Sequence, residues 1–377
     1  MARDEFYSQV ETVISACLMA ACICCTIVGN TLVIMSVFTY KPLRCVSNYF
    51  IISLAVADLM VAVLVMPFHV VHYVSGHWVF GEVFCNMWLT FDILACTASI
   101  LNLCAIATDR YYAIHDAINY AQKRTSKRVL VTISAVWFVS VVISAPPLLG
   151  WNNSGGRNLY DIGSRSCELT NNRGFVIYSA LGSFYIPLLI MAFIYANIFL
   201  ATRKRLRARS QHPTYVGHMT SLNSDGAKNG GCLTHLVSSC AKGERSSETS
   251  AQSDQGNDLT DSDKALDSGE SAPEQPNMHM LRLLEQKHHI SLSKERRAAR
   301  TMAIIIGVFV LCWLPFFLIY VIFPFCPSCA ANAGGRLVTF IVWLGYVNSS
   351  LNPIIYTIFN IDFRKSFKQL LQCKCKR

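Results

Sequence analysis

The chain has 377 residues, of which 53% are hydrophobic and only 15% charged, whereas soluble domains carry about 25% charged residues; an ordinary soluble protein is excluded. The formal net charge of +10 does not indicate nucleic acid, because the basic residues cluster in short stretches beside apolar runs instead of covering a soluble face. The 16 cysteines are spread over too long a chain for a disulfide scaffold.

Seven apolar segments run roughly over 13–38, 48–72, 82–113, 127–149, 173–204, 296–323 and 336–358, each long enough to cross a bilayer as a helix. Residues 1–12 precede them, and no cleavable signal peptide is evident. The first, third and fifth connections are basic: Lys41 and Arg44, then Lys123, Arg124, Lys127 and Arg128, then Arg203 to Arg209 and Lys294 to Arg300. The connections near 73–84, 150–172 and 324–335 are less basic, so the positive-inside rule predicts an extracellular N-terminus and a cytoplasmic C-terminus. Residues 205–295 form the third cytoplasmic connection. Its middle is rich in Ser, Asp, Glu and Gly and nearly free of aromatics, a composition that predicts disorder with phosphorylation sites. After the seventh segment, 359–377 begin with FNIDFRKSFKQLL, which puts Phe359, Phe363, Phe367 and Leu370 on one stripe and predicts an amphipathic helix on the membrane surface. Cys373 and Cys375, among lysines, read as acylation sites. The expected fold is an all-α membrane protein, a seven-transmembrane helix bundle with a short amphipathic C-terminal helix.

The third segment carries the most informative polar residues. Asp92 and Arg110 are 18 residues apart (110 − 92), five turns and about 27 Å along a helix, so they share one face at opposite ends of a span. An ionisable residue inside a membrane is costly and marks a functional site. In the sixth segment Trp313, Phe316, Phe317 and Tyr320 follow the i, i+3, i+4, i+7 spacing; in the seventh Trp343 and Tyr346 share a face, and in the fifth Ser179 and Ser183 lie one turn apart. An anion, an aromatic wall and a hydroxyl pair suit a ligand with an ammonium, a ring and ring hydroxyls. Deeper in the bundle, Asp58, Ser99, Asn348, Ser349 and Asn352 make a set of oxygen ligands suited to a sodium ion and its waters. Near the cytoplasmic end, Arg110 can pair with Asp109 or reach Glu295, a breakable ion pair of the kind a switch requires. Cys85, Cys167, Cys326 and Cys329 are the candidates for oxidation, and Asn152 is the one plausible glycosylation acceptor.

These residues resemble the rhodopsin-like G-protein-coupled receptors over essentially the whole chain outside the long connection. The resemblance rests on Gly29-Asn30, LAVAD ending at Asp58, Cys85, Asp109-Arg110-Tyr111, Trp137, Pro187, CWLP from Cys312 and NPIIY from Asn352 to Tyr356. Asp92, Phe316-Phe317 and WLGY ending at Tyr346 are similar to the aminergic branch. INYAQKRT and CELTNNRGFVIYSALGSFYIPL look most like invertebrate octopamine and tyramine receptors. Serotonin, dopamine or catecholamine receptors are the alternative.

The resemblance implies a Cys85–Cys167 disulfide and a second, Cys326–Cys329. It carries over the ligand set Asp92, Cys96, Ser179, Ser183, Trp313, Phe316, Phe317, Tyr320, Trp343 and Tyr346, and implies that Tyr356 and Arg110 rearrange to admit a G protein. Ala180 leaves only Ser179 and Ser183 to address ring hydroxyls, which suits a phenol better than a catechol. The implied partners are a biogenic amine, a heterotrimeric G protein of the inhibitory class that lowers cAMP, arrestin, receptor kinases and membrane lipid at the plasma membrane, with no cofactor beyond an allosteric Na+ on Asp58. Other classes fare worse. A retinal protein needs a lysine that Leu337 to Phe359 lack, a transporter is disfavoured by the lack of repeats, and no nucleophile–base pair suggests an enzyme.

Overall fold

In hydrocarbon every backbone polar group must find its partner within the chain, and a helix satisfies this in each segment separately. The computed structural model describes residues 2–115, 120, 124–146, 148, 160–161, 166–167, 169, 172–210 and 303–372. Among them, seven helices are long and apolar enough to cross a membrane. We label them α1 (Ala2–Thr39), α2 (Asn48–Ser75), α3 (Gly81–His115), α4 (Ser126–Ser144), α5 (Arg173–Ser210), α6 (Ala303–Ile322) and α7 (Gly335–Phe359), followed by α8 (Ile361–Leu371). Residues Met1–Arg203 with Ser291–Arg377 form one unit and Lys204–Ile290 another; the bundle belongs to the first.

Two helix ends and one connection show how the structure departs from the expected bounds. The helical backbone of α1 reaches back to Ala2, through the polar residues expected to precede it. The fourth helix stops at Ser144 instead of 149, because Pro146-Pro147 can neither supply the next amide donors nor fit the preceding turn. The connection after α4 also holds a two-residue ribbon, Tyr160–Asp161 against Ser166–Cys167, which alternation over so short a stretch could not signal.

Local chemistry sets the helix ends. Thr125 accepts the Arg128 amide at the start of α4, and Asn172 accepts the Gly174 and Phe175 amides at the start of α5, as N-caps do. In α2 and α5 the regular helix is interrupted by wide π-turns, Val61–Val65 and Leu181–Tyr185. Each is closed by the residue just before a proline, Met66 before Pro67 and Ile186 before Pro187, whose amide bonds five residues back to Val61 or Leu181. A proline offers no amide to the carbonyl four residues earlier, and the wider turn takes up that mismatch.

Polar ties lock the helices in register. Asn30 donates to the Thr26 and Ser349 carbonyls, joining α1 to α7. Beside it, a Cβ on Gly29 would lie 2.8 Å from Pro353 Cγ, so only glycine permits this approach. Trp137 on α4 donates to Ser53 on α2, and Trp88 on α3 to the Val65 carbonyl. Arg173 at the head of α5 donates to the Pro324 carbonyl and lies over the Phe325 ring at 5.2 Å. The expected stripe on α8 turns inward rather than only onto the membrane: Phe363 is fully buried and stacks on Tyr356 of α7. Arg364 of α8 caps the last turn of α7 through the Thr357 and Ile358 carbonyls, where a cation also complements the helix dipole.

Candidate functional site

The disulfides Cys85–Cys167 and Cys326–Cys329 are both formed. At the same end of the bundle, α3, α5, α6 and α7 line a cleft with about 530 Å³ of space, part of it open to solvent, concave and mostly apolar as small-molecule sites are. Asp92 lies on one wall. Its Oδ1 accepts the Cys96 thiol at 3.3 Å and its Oδ2 the Tyr346 hydroxyl at 3.0 Å. Among the described residues no cation lies within ion-pair distance of it. Two donors use about half the acceptor capacity of a carboxylate, so the group keeps lone pairs for a ligand.

Across the cleft, Ser179 donates within its own helix to Phe175 and shares a 3.0 Å hydrogen bond with Tyr320 of α6. Ser183 accepts from Thr97 of α3 at 3.1 Å. The π-turn that contains Ser183 gives the two hydroxyls their relative placement. The aromatic wall of α6 lines the same cleft. Phe316 stacks on Tyr320 with centroids 5.6 Å apart, Phe317 stacks on Phe184 of α5 at 4.4 Å, and Trp313 meets both phenylalanines edge-on or tilted at about 6 Å. The Trp313 indole N–H is buried without a partner among the described residues. A Cβ on Gly345 would touch the Trp313 ring at 3.0 Å, so α7 bears directly on this indole.

Below the cleft Asp58 is fully buried. It accepts the Ser99 hydroxyl on Oδ1 and the Asn352 amide on Oδ2, each at 2.8 Å, tying α2, α3 and α7 together. Asn348 and Ser349 are buried on the same helix as Asn352. The Tyr356 hydroxyl is buried with no partner among the described residues.

At the far end of α3, Asp109 is 3% exposed and collects donors from two connections. Ser47, just before α2, reaches Oδ2 at 2.8 Å. The Tyr120 hydroxyl reaches Oδ1 at 3.0 Å, and Arg124 engages both oxygens, at 3.3 and 3.5 Å. Arg110 is only 3.9 Å from Oδ2 and makes its short bond, 2.6 Å, to Ser47 Oγ. Burial, with the Asp109 carboxylate beside it, pushes the Tyr120 phenol up to about 12, so it remains a donor at neutral pH. Tyr111 packs at the edge of the main core and its ring meets that of Tyr112.

The model of the 7 transmembrane receptor (rhodopsin family) matches residues 29–356. The chain belongs to that family. The receptor is 45% identical to an octopamine receptor of Bombyx mori over 97% of its own length and 89% of that protein's. It is likewise 45% identical to tyramine receptor 1 of Locusta migratoria, over 97% and 90% of the two chains. With a probable G-protein coupled receptor, No18, of Amphibalanus amphitrite it shares 51% over 98% and 93%.

Nine of the ten expected ligand residues line the receptor's cleft; the exception is Trp343. Its indole donates to His69 Nδ1 at 3.1 Å and its ring meets Tyr346 at 5.6 Å, so it buttresses Tyr346 from behind. The cleft also takes Ile93, Thr97, Ile100, Leu169 and Val342, none of which the sequence marked out. For Leu169 a signal existed: it lies two residues beyond Cys167, whose bond to Cys85 draws the connection over the cleft. Glu295, Asn152, Cys373 and Cys375 lie outside the described residues.

Proposed function

We propose that the receptor binds a phenolic monoamine, octopamine or tyramine, in the cleft at the Cys85 end. The ammonium pairs with Asp92, the ring stacks on Phe316 and Phe317, and the phenol exchanges hydrogen bonds with Ser179 and Ser183. One observation carries this reading. Asp92 is an anion on the wall of a largely apolar cleft, with neutral donors and no cation beside it, and an amine supplies the missing charge. The names of the relatives from Bombyx and Locusta agree with that ligand class. Ala180 where a third hydroxyl could stand favours a phenol over a catechol.

In this proposal the Cys85 end faces outward and the Arg110 end inward, as the basic connections require. Amine binding favours an arrangement in which α6 moves away from α3, by as much as the amine's affinity for the two states differs. Arg110 then meets a G protein of the inhibitory class, lowering cAMP, and arrestin and receptor kinases act on the same face. The oxygen set around Asp58 fits a sodium ion: a buried carboxylate with spare lone pairs, hydroxyl and amide oxygens, and no cation nearby among the described residues. Such a hard-oxygen site suits this ion. Acylation at Cys373 and Cys375 and glycosylation at Asn152 complete the proposal.

The test combines binding and signalling. Losing one partner of a buried charge pair costs roughly 2–5 kcal/mol, so Asp92→Ala should weaken tyramine and octopamine by tens- to thousands-fold. An Asp92→Ala receptor that reaches the surface and still binds both amines as the wild type does would sink the amine reading. Suppression of stimulated cAMP led by serotonin or dopamine, instead of tyramine or octopamine, would leave Asp92 in place and overturn the choice of amine.

A further inference from the structure

We infer that Arg124 sets the receptor's ligand-independent activity by occupying the Asp109 carboxylate, which leaves Arg110 without a direct hydrogen bond to Asp109 before any amine binds. The inference rests on the proposed role of Arg110 at the G protein. A carboxylate offers about four acceptor positions, and three of those of Asp109 are filled by hydrogen bonds from Ser47, Tyr120 and Arg124, with none from Arg110. Oδ1 accepts the Tyr120 hydroxyl at 3.0 Å and faces Arg124 Nε at 3.3 Å. Oδ2 accepts Ser47 at 2.8 Å and Arg124 Nη2 at 3.5 Å, while Arg110 Nε waits at 3.9 Å.

Arg110 is held instead through Ser47. The serine gives its proton to Asp109 and takes one from Arg110 Nη2 at 2.6 Å. The link between the two neighbours on α3 therefore passes through a neutral hydroxyl, without the direct guanidinium–carboxylate contact of a two-pronged ion pair.

Arg124 is well placed to keep this position. Its guanidinium lies 5.8 Å from the Tyr120 ring centroid, within cation–π range, and Tyr120 stacks on Tyr112 of α3 at 5.6 Å. Tyr120 and Arg124 thus approach Asp109 together, one as a hydroxyl donor and the other as a cation with one hydrogen bond and a second nitrogen within ion-pair distance. The side chain of Arg124 is 22% exposed against 32% for Arg110, so its charge is the less screened of the two. If the Asp109–Arg110 pair holds the silent arrangement, a carboxylate shared with Arg124 weakens that hold and shifts the resting equilibrium toward the active one. Arg124 is a positioning residue: it acts on the switch through Asp109.

The experiment measures guanine-nucleotide exchange, with and without saturating tyramine, on the heterotrimer that the wild type activates. Membranes carry the wild type, Arg124→Gln, Arg124→Lys or Arg110→Ala at matched surface levels. The wild type should show exchange without ligand above receptor-free membranes. Arg124→Gln should lower that basal rate roughly fivefold while keeping the tyramine-stimulated maximum, which a misfolded receptor would lose. Arg124→Lys keeps the cation and should recover most of the basal rate. A basal rate that is absent in the wild type, or unchanged or raised in Arg124→Gln, overturns the inference. Arg110→Ala separates the two claims. Exchange that persists there overturns the reading of Arg110 itself, whereas a silent Arg110→Ala with an unaffected Arg124→Gln overturns the role of Arg124 alone.

Discussion

At the scale of single residues, the cleft depends on a few polar atoms whose neighbours are neutral. Tyr346 illustrates this, since its hydroxyl satisfies Asp92 Oδ2 at 3.0 Å without neutralising it. Tyr346→Phe removes the donor and keeps the ring that packs on Trp343 and His69. A hydrogen bond to a charged group contributes roughly 1.5–3 kcal/mol. We therefore expect tyramine affinity to fall about tenfold or more while surface expression stays at the wild-type level, as read by competition binding on whole cells. An unchanged affinity would mean that the ammonium itself takes over this lone pair. Asp92, the α6 aromatics and the two serines were all legible from residue type and spacing. Thr97 and Trp343 were not: an isolated threonine in an apolar run has no pattern, and the shared face of Trp343 and Tyr346 did not say which of them reaches the cleft.

At the scale of elements, the π-turn of α5 determines where Ser179 and Ser183 point. Pro187 leaves the Ser183 carbonyl without its usual amide partner, and the wide turn Leu181–Tyr185 accommodates the loss. Pro187→Ala restores an amide there and allows the turn to relax to α-helical spacing. One residue fewer in the turn rotates the preceding segment by about 100°, which takes Ser179 off the cleft wall. Competition binding should then show tyramine weakened roughly tenfold, the value of one or two lost hydrogen bonds, and β-phenylethylamine, which lacks the phenol, little affected. Equal losses for both amines would instead place the effect on the ammonium or the ring. Proline marked this helix as irregular in the sequence, but the identity of the wide turn depends on which carbonyl the Ile186 amide selects, and that is settled by packing against neighbouring helices.

At the scale of the whole molecule, Asp58 joins α2, α3 and α7 midway between the amine cleft and the Arg110 end. Two ligands that favour different arrangements of the same helices must oppose each other reciprocally. If sodium binds at Asp58 in the resting arrangement, adding it should lower tyramine affinity several-fold, about 1 kcal/mol of coupling. Asp58→Asn should abolish that effect, with potassium serving as the ionic-strength control. Sodium sensitivity that survives Asp58→Asn would move the ion elsewhere.

The sequence by itself determined that this chain crosses a membrane seven times, because apolar length and flanking charge act segment by segment and need no tertiary contact. It also determined the family, through motifs whose residue types and order are local. Tertiary structure alone decided which donors share a carboxylate. Arg124 reads in the chain as one more basic residue in a flank, and Ser47 as a polar residue before a helix. Only the approach of two separate connections to α3 puts them on Asp109 ahead of its own neighbour Arg110. Hydrogen-bond strength falls off within about an ångström, a scale that residue spacing along the chain does not resolve.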